Sequence, residues 1–204
     1  METYPVTAAQ DGVSGEFQQL LHWTLKDNPA HMILIQLLAL PAFVLFGAGF
    51  SLLAIYVGKL PDASTWGFTE LAVILVATVA GIVTTIVLHE WVHGLSMRRY
   101  GARPQYGFLW KQFMFYATSP GYAFRRDSYI LIALAPQLAL GAVAILGMVL
   151  LQGTYWVALL ALCATINATG AFGDLWLVSL ALRYPRTAYV VDEKDGVRAL
   201  MRKA

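Results

Sequence analysis

Four stretches of more than twenty residues run almost free of charge, and they limit the fold more than any other feature of this chain. Residues 31–57 contain no Asp, Glu, Lys or Arg. The other stretches cover about 70–97, 129–151 and 154–182, the last with a single charge, Asp174. A helix needs about 20 apolar residues to cross the hydrocarbon core of a bilayer. Of the 204 residues, 58% are hydrophobic and 13% charged, about half the charged share of a soluble domain. So few polar groups could not cover a fold of this size in water. The predicted class is an all-α, multi-pass integral membrane protein with four transmembrane helices and lipid as its solvent. Pro41 and Pro136 fall inside spans, where proline is tolerated and kinks the helix.

Segment 98–127, between the second and third spans, has a different texture. Gly101, Pro104, Gly107, Pro120 and Gly121 punctuate it, and Tyr106, Phe108, Trp110, Phe113, Phe115, Tyr116, Tyr122 and Phe124 recur between them. This pattern predicts short strands or a hairpin at the membrane interface, where aromatic rings concentrate. The chain then divides into an N-terminal segment 1–30, a four-helix membrane domain 31–182 and a tail 183–204. With four spans, every one of the 14 Lys and Arg residues except Lys59 falls on one side, which predicts cytoplasmic N and C termini. Residues 1–30 lack the basic and apolar regions of a secretory signal. A net charge of +2 gives no case for nucleic acid. The lone Cys163 reads as a small core residue, with no intramolecular disulfide open to it.

The chemistry is concentrated in the second span, in His89-Glu90-Trp91-Val92-His93. Residues four apart share one helix face, so His89 and His93 can hold one Zn²⁺, while Glu90 can act as general base on a water. A bare HExxH in a soluble chain is weak and often accidental. Two His and a Glu inside an apolar span are costly there and need a compensating partner. A wet helix end is the competing reading, since Arg98 and Arg99 follow closely. The third zinc ligand must lie elsewhere in the chain. His89 stands nine residues before Arg98, and Asp174 nine before Arg183. At about 1.5 Å per residue, both lie roughly 13 Å from a basic boundary, which makes Asp174 the best candidate. His22, His31 and Asp127 are the alternatives. Ala161, Ala164, Ala168, Gly170, Ala171 and Gly173 would let the fourth span approach closely. Asn167, seven residues before Asp174, is a candidate to bind substrate or stabilise an oxyanion. Like Gln137, it could equally bond across helices.

This pattern resembles the small bacterial membrane proteins grouped as putative zincin peptidases. The resemblance rests on His89–Gly94, the Gly101–Gly107 segment, Ala135-Pro136 and Gly173-Asp174. It is more distantly similar to the site-2-protease-like intramembrane metalloproteases. Those carry Asn-x-x-Pro before Asp-Gly, where this chain has Asn167-Ala168-Thr169-Gly170 and Asp174-Leu175. The resemblance implies a peptidase in a bacterial plasma membrane. The expected activity is zinc-dependent hydrolysis of membrane-associated or membrane-spanning peptides. His89, His93 and Asp174 would be ligands, Glu90 the base, and 103–124 an edge for an added substrate strand. The rivals are a non-catalytic metal-binding or regulatory membrane protein, a metal transporter, and an accidental motif. A transporter would want ligands at several depths, and these cluster at one.

Overall fold

All four apolar runs form helices long and apolar enough to cross a membrane. The computed structural model describes residues 2–12, 14–60, 66–110 and 114–202. Lys111, Phe113 and Lys203, used above for charge and aromatic patterning, lie outside the described residues. Helix α1 is Pro29–Leu53, extended by a π-helical turn, Ala54–Gly58. Helices α2 and α3 are Phe68–Arg99 and Arg126–Leu150. The fourth run is divided into α4, Tyr155–Gly170, and α5, Phe172–Ala181. Large apolar side chains stand on their outer surfaces: Leu40, Val44 and Leu45 are 65–71% exposed. Such a surface is unfavourable in water and neutral in lipid.

The all-α expectation is wrong. Strands make up 22% of the chain and are not confined to the segment between the second and third helices. Among the described residues eight occur: β1 Thr3–Val6, β2 Ala8–Ala9, β3 Gly15–Thr24, β4 Gln105–Leu109, β5 Met114–Thr118, β6 Tyr122–Arg125, β7 Tyr189–Glu193 and β8 Gly196–Arg202. Strands β4 and β5 form an antiparallel pair. The other six form one sheet in the order β1-β3-β8-β7-β6-β2. Its edge strands β1 and β2 are separated by Thr7 alone, so the sheet must curl until its edges nearly meet. The N-terminal segment and the C-terminal tail are thus partners in one sheet, with Trp23 opposite Val197.

The chain divides into two compact units, Met1–Gln36 with Glu90–Ala135 and Gly173–Ala204, and Leu37–His89 with Pro136–Phe172. In the first unit both faces of the curled sheet are apolar. Val6, Phe17, Ala123, Tyr189, Val191 and Leu200 form one core. Phe124, Val190 and Val197 face the other way, against Met97, Tyr129, Ile132 and Leu180 of the helices. The alternation follows from successive strand residues pointing to opposite faces. The second unit has its own core of Ala54, Ala144, Met148, Val157, Ala161 and Ala164.

One glycine of the sheet is fixed by backbone contact. A Cβ at Gly196 would lie 2.0 Å from the Trp23 carbonyl oxygen and 2.8 Å from Thr24 Cα on the paired strand. Backbone in a sheet cannot step aside as a side chain can. Gly196→Ala is therefore expected to destabilise the protein by about 1–3 kcal/mol, as overpacking does. A lowered thermal midpoint in detergent would register this, and an unchanged midpoint would show that β3 and β8 separate without cost.

Candidate metal centre

Helix α2 passes through LHEWVHGL without a proline. Its 3.6-residue period therefore puts His89 and His93 on one face, a turn apart. Asp174 lies in the first turn of α5. The fourth run was expected to be one continuous helix, but α4 stops at Gly170, where the Ala171 N–H is bonded to the Asn167 carbonyl. Helix α5 then restarts at Phe172. A carboxylate in the first turn of a helix is favoured by the exposed N–H groups there. Among the described residues, His89, His93 and Asp174 form a group whose ligand atoms all lie within 4.8 Å of one another. His93 is buried, and the other two are half-buried.

The hydrogen bonds fix which ring nitrogen of each histidine is held by an outer partner. His93 Nδ1 lies 3.0 Å from the Ile132 carbonyl oxygen. A carbonyl can only accept, so Nδ1 carries the proton and donates. The other nitrogen, Nε2, lies 3.4 Å from Asp174 Oδ1. His89 Nδ1 lies 2.9 Å from Asn167 Oδ1. The Asn167 amide nitrogen donates to Gln137 Oε1 at 3.1 Å and to the Pro136 carbonyl at 3.4 Å. Its oxygen is thereby left for His89, whose Nδ1 is again the donor. Both histidines therefore keep an Nε2 lone pair for a metal, each held by an outer partner.

The donor set fits zinc. Two neutral imidazoles and a carboxylate are a common catalytic triad of ligands for this ion. Ligands about 2.0–2.1 Å from a tetrahedral zinc stand about 3.3 Å apart, close to the observed separation of His93 Nε2 and Asp174 Oδ1, 3.4 Å. Glu90 follows His89 directly and is outside the ligand group. The alternative third ligands are engaged elsewhere. His22 pairs with Glu193 at 3.1 Å, His31 accepts from Trp23 Nε1 at 3.2 Å, and Asp127 bonds Arg126 at 2.6 Å.

Three features around the centre escaped the sequence reading. Tyr106 of β4 lies against α2, so that a Cβ at Gly94 would stand 2.0 Å from its hydroxyl oxygen. The glycine after the second histidine is what admits the ring. Asp192 of β7 is buried, and its Oδ1 accepts from the Tyr129 hydroxyl of α3 at 3.2 Å. The third is the Ile132 carbonyl itself. The glycine of His89–Gly94 could have pointed to the first of these. Nothing local marks the other two.

A family model described as putative zincin peptidase matches residues 82–189, more than half of the chain, spanning the α2 motif and Asp174. No curated protein and no solved structure matches the chain.

Proposed function

Because the chain belongs to the putative zincin peptidase family, we propose that it is a zinc-dependent metalloendopeptidase embedded in a membrane. Its substrates are peptides that span the membrane or lie against it. The observation that carries this reading is the grouping of His89, His93 and Asp174, with each histidine donating from Nδ1 to an outer partner and His93 Nε2 lying 3.4 Å from Asp174 Oδ1. Accidental histidines on a membrane helix have no reason to share a tautomer and a carboxylate. The four apolar helices support the membrane location, and the Lys and Arg distribution supports cytoplasmic termini. We place the chain in a bacterial plasma membrane on the family resemblance.

Zinc, when bound, supplies a Lewis acid and makes water nucleophilic at neutral pH. His89, His93 and Asp174 would hold it. Glu90 takes the proton of the attacking water as the C–O bond forms, then gives it to the amine nitrogen as the C–N bond breaks. Asn167 holds His89, and the Ile132 carbonyl holds His93. A helical substrate must unwind first, because its carbonyls are bonded internally. Strands β4 and β5 offer an edge to which an unwound segment could add.

Zinc content of the detergent-purified protein tests the centre. About one zinc per wild-type chain is expected. Asp174→Ala is expected to weaken zinc by at least the roughly 10–100-fold that loss of an outer-shell partner costs. A wild type that takes up no zinc when supplied with it would remove the basis for the enzyme. Zinc binding without hydrolysis of any peptide would favour a non-catalytic metal-binding protein.

A further inference from the structure

The histidine tautomers trace back to one residue of a different helix. In an α-helix the carbonyl of residue 132 accepts from the N–H of residue 136. Residue 136 is proline, inside α3, and proline has no N–H. The Ile132 carbonyl is thus deprived of its helical donor in a setting where the residue is 1% exposed. His93 Nδ1 supplies the missing donor at 3.0 Å. The Pro136 carbonyl, one turn along, accepts from the Asn167 amide at 3.4 Å, and Asn167 Oδ1 lies 2.9 Å from His89 Nδ1.

We infer that Pro136 is a positioning residue of the metal centre, freeing the Ile132 carbonyl so that His93 is held with its proton on Nδ1 and its Nε2 lone pair toward Asp174. The inference rests on the metal-centre reading above and assigns this proline a task beyond kinking a membrane helix. An ordinary residue at 136 would return an N–H to the Ile132 carbonyl. His93 would then compete for that acceptor, and its ring would lose both its fixed tautomer and its fixed plane. The effect reaches the metal through ligand orientation.

The test compares wild type, Pro136→Ala and Pro41→Ala, each purified whole in detergent. Pro41 lies inside α1, a helix that carries none of the metal-centre residues, and provides the same helix repair there. Zn²⁺ affinity would be measured by competition with a chromophoric chelator. ¹⁵N-histidine spectra of the zinc-saturated proteins would report which ring nitrogen keeps its proton. Expected for Pro136→Ala are a roughly 10–100-fold loss of zinc affinity, a His93 signal shifted away from the Nδ1–H tautomer, and no loss of thermal stability. Pro41→Ala is expected to keep wild-type zinc affinity and spectra. Pro136→Ser restores the same N–H and replaces the alanine variant should that one not fold. Wild-type affinity and tautomer in the Pro136 variants would overturn the inference alone. Equal losses in Pro41→Ala would also overturn it, by showing a general effect of straightened helices. A wild type that binds no zinc would overturn the metallopeptidase reading and this inference together.

Discussion

Glu90→Gln is expected to leave zinc bound and to slow peptide hydrolysis by roughly 10²–10⁴-fold, the range for loss of a general acid–base group. The replacement keeps the size and the helix position of the side chain. It removes only the capacity to take a proton. Glu90 is not one of the grouped ligands His89, His93 and Asp174, so metal content should match wild type. The rate loss corresponds to about 3–5 kcal/mol of barrier. Hydrolysis of a fluorogenic membrane-anchored peptide, measured beside zinc content on the same preparation, reads both quantities. Cleavage at the wild-type rate with zinc in place would rule out Glu90 as the base. Loss of zinc together with cleavage would instead make Glu90 part of the binding site.

The parts of this protein that could be read in advance are those encoded locally. A span announces itself by composition, and HExxH by the helix period. Asp174 could be placed beside the histidines by counting residues to the next arginine, because two spans of like direction share a depth scale. The break at Gly170 could not. Its residues are small enough for either a continuous or a divided helix, and only the interruption at Ala171, between α4 and α5, shows the division.

The six-stranded sheet was hidden for a different reason. In β7, Tyr189 and Val191 enter one core while Val190 enters the other. A strand buried on both faces has no polar alternation. Its hairpin with β8 closes through Lys194 and Asp195, since Glu193 pairs with Gly196. The Asp-Gly pair was the available turn signal, but it stands in a stretch of mixed charge that reads as a solvated tail. The pairing of β3 with β8 joins residues more than 170 positions apart, such as Trp23 and Val197. Hydropathy cannot encode a contact of that range. Asp192 was missed with the sheet, because an acid in the run Asp192-Glu193-Lys194-Asp195 looks exposed until Tyr129 is set beside it.

Asp192 is also where stability should depend most strongly on pH. Burial pushes its carboxyl from the usual value near 3.8 up to about 7, against the lowering effect of nearby His93 and of hydrogen bonds from Thr118 and Tyr129. An unfolded chain releases this proton near pH 4, and the folded protein holds it to about pH 7. Between those values the folded state binds one proton more, so stability falls as pH rises. The contribution is complete below pH 4 and lost above pH 7. At about 1.36 kcal/mol per pH unit the loss is on the order of 4 kcal/mol. Asparagine keeps an oxygen for the Tyr129 hydroxyl and does not titrate. Thermal midpoints of metal-free protein across pH 4–8 should therefore diverge, with Asp192→Asn gaining on wild type as pH rises. Parallel midpoints would show that the carboxyl is already ionised when folded. The consequence reaches the metal centre through α3: Tyr129 bonds Asp192 at 3.2 Å, and one turn later the Ile132 carbonyl bonds His93 at 3.0 Å.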